Sequence, residues 1–273
     1  SITVGSNPRY VAVSLDGLSV WVANAGSGTV SRINTATNAV TSITVGSGPR
    51  GVAVSPDGSS VWVTNNNDGT VSRINTATNT VTPITVGTGP YSVAVSPDGS
   101  SVWVTNFATD TVSRINTATN AVTSITVGTD PYSVAVSPDG SSVWVTNLNG
   151  GTVSRINTTT NTVTSITVGS NPYGVAVSPD GSSVWVTNYG GGSVSRINTT
   201  TEAVTSIAVG SGPRGVVVSP DGSSVWVTNI NDGTVSRIIF PPQPPDNVTA
   251  TPGNAMATIS WTAPTNTGGS PIT

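Results

Sequence analysis

Gly51-Val-Ala-Val-Ser-Pro-Asp-Gly-Ser-Ser-Val-Trp-Val-Thr-Asn65 is the stretch that decides the fold. Its Trp recurs at Trp21, Trp62, Trp103, Trp144, Trp185 and Trp226, each step being 41 residues. A period of this length marks stacked units such as propeller blades. Val52-Ala-Val-Ser55 and Val61-Trp-Val-Thr64 are rich in β-branched and aromatic residues and read as strands. Between them, Ser55-Pro-Asp-Gly58 puts Pro second and Gly fourth in a type I turn, which joins the strands as a hairpin. The turn returns with Asp98, Asp139, Asp180 and Asp221, and the first copy has Leu15 before Asp16. Turn chemistry accounts for these Asp residues without a catalytic role.

Working outward, Ile43-Thr-Val45 and Val71-Ser-Arg-Ile74 complete a four-stranded unit. If Asn65 faces Thr70 across the second hairpin, Trp62 faces Arg73, and opposed residues share a face of the sheet. Trp and Arg are therefore expected on one face, with Val61, Val63 and Ile74 on the other. The same layer is expected at Trp21/Arg32, Trp103/Arg114, Trp144/Arg155, Trp185/Arg196 and Trp226/Arg237. Burying such a Trp removes roughly 150–250 Å² from water, an upper bound of about 4–6 kcal/mol per blade.

The last unit stops at Ile239, before its own fourth strand, and Ile2–Val4 repeats the missing pattern. The expected fold is all-β: a six-bladed propeller of four-stranded antiparallel blades, circularly permuted so that the N-terminal strand closes the last blade. Residues 1–239 form this propeller, 240–245 a Pro-rich linker, and 246–273 a segment too short to bury a core of its own.

Only 8% of the 273 residues are charged, the nine basic residues are all Arg, and the net charge is −3. Electrostatics give no support for nucleic-acid binding, and no apolar run approaches the length of a membrane span. Cys and His are both absent. Thiol nucleophiles, His general bases and Cys/His metal sites are thereby excluded, and no cofactor or metal is expected.

Val-Trp-Val-Thr-Asn, Asp-Gly-Thr-Val-Ser, Ile-Asn-Thr-Ala-Thr-Asn and Ile-Thr-Val-Gly together resemble the YVTN-type β-propeller repeat, with Trp in place of Tyr. The resemblance implies a propeller of surface-layer and secreted proteins, more distantly lactonase-like, and commonly seven-bladed. Asp246 to Pro264, with Trp261, resembles the first two strands of a fibronectin type III domain. That pairing implies a modular protein that is extracellular or at the cell surface.

The copies differ mainly after the Pro that opens each unit and in the loop following Asn65 and its equivalents. Both connections lie at one end of the ring, the candidate binding face. The residues after the Pro are Arg9, Arg50, Tyr91, Tyr132, Tyr173 and Arg214. They make a mouth that is half cationic and half aromatic, suited to an anionic glycan, an acidic peptide or another cell-surface protein. With no His and no charged cluster beyond the repeat, the expected function is non-catalytic: a recognition or structural module, monomeric as a fragment. The alternatives are a lactonase- or lyase-like propeller enzyme and a surface-layer or filament subunit.

Overall fold

The computed structural model describes residues 1–239, 246–253 and 256–262. Five successive four-stranded antiparallel sheets and a sixth of three strands repeat along the chain. In the second blade the strands are Pro49–Val54, Ser60–Asn65, Thr70–Asn75 and Val81–Thr85, in sequence order across the sheet. The last of these begins earlier than the Ile-Thr-Val pattern suggests, because a turn with Asn79 at φ +58° delivers Val81 opposite Ile74. Each 41-residue period is thus one blade of a β-propeller.

The register places Trp62 opposite Arg73 and Asn65 opposite Thr70. Trp62 packs into the next blade, against Val102, Val104 and Ile115, while Val61, Val63 and Ile74 receive Trp21 of the blade before. Both faces of an internal blade are apolar because both are covered. The Arg73 guanidinium covers the Trp62 ring at 5.0 Å and donates across the boundary to the Thr117 carbonyl at 2.6 Å and to Asn120 Oδ1 at 3.1 Å. Its Nε donates to Ser60 within the blade at 3.2 Å. Arg32, Arg114 and Arg155 make the same cross-blade bond, to the carbonyls of Thr76, Thr158 and Thr199. The Asp turns lie at the other end from the variable loops. Ser55 Oγ donates to Asp57 Oδ1 at 2.5 Å, and Gly58, at φ +71°, closes the turn onto the Ser55 carbonyl.

The expected layer is corrected at its last two arginines. Arg196 and Arg237 do lie over Trp185 and Trp226, at 5.4 Å and 5.0 Å, yet both are exposed, whereas Arg32, Arg73, Arg114 and Arg155 are half-buried. Each of the four earlier arginines sits under the Asn-Thr turn of the following blade, whose carbonyl comes 44 residues later. For Arg196 that place falls at Phe240, outside the described residues. Arg196 Nε donates to Ser183 within its own blade at 3.0 Å. Arg237 belongs to the last blade, and no further blade lies against it among the described residues.

The N-terminal closure is corrected as well. Residues 1–4 form no strand, and Thr234–Ile239 pairs only with Ser224–Asn229 among the described residues. The physical reason is that the first and last blades do not meet as consecutive blades do. Trp226 is 41% exposed, whereas the other five layer Trp residues are at most 1% exposed. On the first blade Val11 and Val13 are exposed, although their counterparts Val52 and Val54 lie inside the preceding interface. Every described sheet is therefore built from one continuous run of chain, without permutation.

Asp246–Gly253 and Met256–Thr262 pair as an antiparallel hairpin. The expected linker at 240–245, the segment 263–273 and the Trp261 side chain lie outside the described residues.

Candidate functional site

A bulge positions the site. In the second blade Pro49 pairs with Asn65 and Val52 with Val63, so Arg50 and Gly51 together oppose the single residue Thr64. An extra residue of this kind re-aims side chains out of the ladder. Thr64 stabilises the distortion: its hydroxyl accepts from the Gly51 amide at 2.8 Å and donates to the Tyr91 carbonyl of the next blade at 2.9 Å. Thr105, Thr146 and Thr187 hold the carbonyls of Tyr132, Tyr173 and Arg214 in the same way. The Thr of four of the five Val-Trp-Val-Thr-Asn runs thus fixes the site residue of the next blade. In the first blade Ala23 takes its place, and the register slips there as in the other blades, between Pro8 and Tyr10.

The bulges bring Arg9, Arg50, Tyr91, Tyr132, Tyr173 and Arg214 to one cavity of about 470 Å³ where the inner strands converge. Their order around it follows the blades. Tyr91 and Tyr132 have ring centroids 4.1 Å apart, as do Tyr132 and Tyr173. Arg50 lies over Tyr91 at 4.5 Å and Arg214 over Tyr173 at 4.7 Å, so a guanidinium caps each end of the stack. The hydroxyls run in series: Tyr91 Oη bonds to Tyr132 Oη, Tyr132 Oη to Tyr173 Oη, and Arg214 donates to Tyr173 Oη. Arg9 lines the same cavity, exposed, on the blade between the two engaged arginines.

Desolvation, with hydrogen bonds to its two neighbours, pushes the Tyr132 phenol far above the ordinary tyrosine value. Desolvation also raises Tyr173, while its hydrogen bonds with Tyr132 and Arg214 pull it back. Burial disfavours the Arg214 cation, but hydrogen bonding to Tyr132 and Tyr173 outweighs it and holds the proton more firmly than usual. A cation beside a phenol stabilises the phenolate, and Tyr173 is the phenol in hydrogen-bond contact with one.

Sequence reasoning missed Tyr10. It lines the cavity too, and desolvation together with Tyr91 and Tyr173 pushes it up to about 12. The signal was present, since the equivalent positions hold Gly51, Ser92, Ser133, Gly174 and Gly215. Phe107 and Tyr189 stand behind the stack, 6.4 Å from Tyr91 and 6.2 Å from Tyr173. Carboxylates at this end brace loops: Asp68 accepts from the Ser47 amide at 2.6 Å, Asp110 from the Asp130 amide at 2.8 Å and Asp232 from the Ser211 amide at 2.5 Å.

The sequence pattern of the Virginiamycin B lyase family matches residues 2–202. No curated protein matches the chain. Among solved structures it is similar to a streptogramin B lyase, at 17% identity and a TM-score of 0.71 over 88% of this chain and 85% of that one. It is also similar to hydrazine synthase of Kuenenia stuttgartiensis, at 20% identity and a TM-score of 0.53 over 88% and 97%. A functionally unknown protein from Desulfotomaculum acetoxidans matches at 21% identity and a TM-score of 0.67 over 80% and 78%. At these identities the structural likeness shows the propeller fold alone. The family match overturns the expectation of a non-catalytic, non-enzyme module, which rested on the missing His and on charges explained by the repeat. A low-charge propeller without His is compatible with a lyase family, and the chain belongs to the Virginiamycin B lyase family.

Proposed function

We propose that this chain is a lyase-type propeller enzyme acting in the tyrosine–arginine cavity on an anionic substrate, an acidic glycan or a carboxylate-bearing peptide ester. The observation that carries the reading is the Arg214 hydrogen bond to Tyr173 Oη inside that cavity. A lyase needs a base for a carbon-bound proton, a cation for the charge that develops on the adjacent carbonyl, and an acid for the departing oxygen. The chain has no His, so proton transfer falls to phenols. Tyr173, as the phenolate held by Arg214, takes the proton. Arg9 and Arg50 hold the substrate's carboxylate and the enolate oxygen. Tyr10, pushed up to about 12, stays protonated at neutral pH and donates to the leaving oxygen. The C–H and C–O bonds break and a carbon–carbon double bond forms, without water.

The remaining elements of the reading rest on sequence resemblance: a YVTN-type repeat, a fibronectin type III-like segment at 246–273, and an extracellular or cell-surface location.

The test is incubation with uronate-containing polysaccharides and carboxylate-bearing peptide esters in heavy-oxygen water. Elimination gives a product absorbing as a conjugated alkene, without solvent oxygen, and Tyr173→Phe abolishes it. Solvent oxygen in the product would make the enzyme a hydrolase. No turnover of either class would overturn the substrate assignment.

A further inference from the structure

Tyr91, Tyr132 and Tyr173 come from three consecutive blades, yet their hydroxyls form one unbroken chain ending on the Arg214 guanidinium. A lone tyrosine in a cavity needs one partner. Here Tyr132 has a phenol on either side, and its side chain is 6% exposed, the most enclosed of the three. Tyr91 and Tyr173 are each half-buried. The three rings meet in tilted contacts with centroids 4.1 Å apart, and the Thr64, Thr105 and Thr146 hydroxyls hold their carbonyls.

We infer that Tyr91, Tyr132 and Tyr173 act as one proton relay, in which a single negative charge is shared along three phenol oxygens and Arg214 anchors the Tyr173 end. The inference deepens the lyase reading and rests on it for its catalytic meaning, but the relay is a property of the folded protein alone. With one proton removed, two protons bridge three oxygens, and the charge is solvated by phenol donors in place of water. When Tyr173 Oη takes a proton from substrate carbon, successive O–H···O shifts pass one proton through Tyr132 to Tyr91, which releases it to solvent. The relay returns to two protons on three oxygens, with no redox partner. Tyr132 and Tyr91 are positioning residues in this scheme, acting on the substrate through Tyr173.

The charged and titratable groups facing the relay are Arg50 over Tyr91, Arg214 over Tyr173, Arg9 and Tyr10 on the cavity wall, and Tyr189 behind Tyr173. None of them is altered in the test variants, so a change in titration reports the chain of hydroxyls.

The experiment is an ultraviolet titration of phenolate absorbance in the intact chain, comparing the unaltered protein with Tyr132→Phe and Tyr91→Phe. Coupled phenols titrate as a unit. Removing the central hydroxyl is expected to move the ionisation of the remaining cavity phenols by about one pH unit or more. Tyr91→Phe is expected to move it in the same direction by less. Curves that equal the original minus one independent phenol would overturn the relay. If Tyr132→Phe fails to fold, the half-buried Tyr91→Phe carries the test. A shifted titration without elimination activity would sink the lyase reading and keep the relay; activity with independent titrations would do the reverse.

Discussion

The Arg73 guanidinium lies over the Trp62 ring at 5.0 Å while it donates to the neighbouring blade, so one side chain both lids the core and ties two blades together. Arg73→Lys keeps the charge and loses the planar fork. The expected cost is about 1–2 kcal/mol, from lost hydrogen bonds and a carbonyl left less well satisfied. Chemical denaturation checks it, and an unchanged midpoint would show that the fork contributes nothing. Arg237→Lys, on an exposed arginine at the end of the array, should leave the midpoint nearly where it was.

The same layer predicts unequal penalties along the chain. Trp144 is fully enclosed, so Trp144→Ala should cost about 3–5 kcal/mol. Trp226 is 41% exposed, and Trp226→Ala should cost less than half as much. Equal shifts in melting temperature would contradict the exposure of the last blade.

Acid should weaken the fold through the turn carboxylates. The hydroxyls of Ser55, Ser96, Ser137 and Ser219 hold Asp57, Asp98, Asp139 and Asp221 at about 2, below the ordinary 3.8. A depressed folded value means stability that is complete above about 4 and lost as pH falls through about 2. Denaturation midpoints measured across that window should drop, and Asp98→Asn should flatten the slope.

Much of this was legible in the chain. Hairpin register follows from local turn chemistry, so the facing of Trp62 and Arg73 could be reached from residue spacing. The exposure of Trp226 could not be read that way, because it depends on whether another blade lies against its face. Closure was equally hidden: pairing Ile2–Val4 with Thr234–Ile239 depends on how the rotations of all the blades add up, and no local pattern states that sum. The bulge that aims Arg50 and Tyr91 inward has as its marker a Thr across the ladder, which in a Thr-rich sequence carries little contrast. The enzyme class was misread for a related reason: the argument against it was the missing His, whereas the contacts of Tyr173 with Tyr132 and Arg214 form only when the blades come together.

The rate of elimination should rise with pH. Desolvation raises Tyr173 above its ordinary value, so its phenolate is scarce at neutrality and grows as the solution becomes alkaline. Tyr10, at about 12, remains an acid through that range. The expected kcat/KM climbs from neutral into alkaline pH without an intervening fall. A bell centred near neutrality would assign the base to another group.

The uncovered Trp226 at one end and Val11 and Val13 at the other set the order in which the molecule comes apart. A repeat array is held by nearest-neighbour interfaces, and its terminal units have only one. Amide hydrogens of Ser224–Asn229 should exchange through fraying of the final blade, whereas those of Ser142–Asn147, flanked by blades on both sides, should wait for global unfolding. The cavity draws Arg9, Tyr10 and Arg214 from the two fraying blades and its tyrosine stack from the stable middle. Warming should therefore strip Arg9, Tyr10 and Arg214 from the site while Arg50 and Tyr91, Tyr132 and Tyr173 still stand.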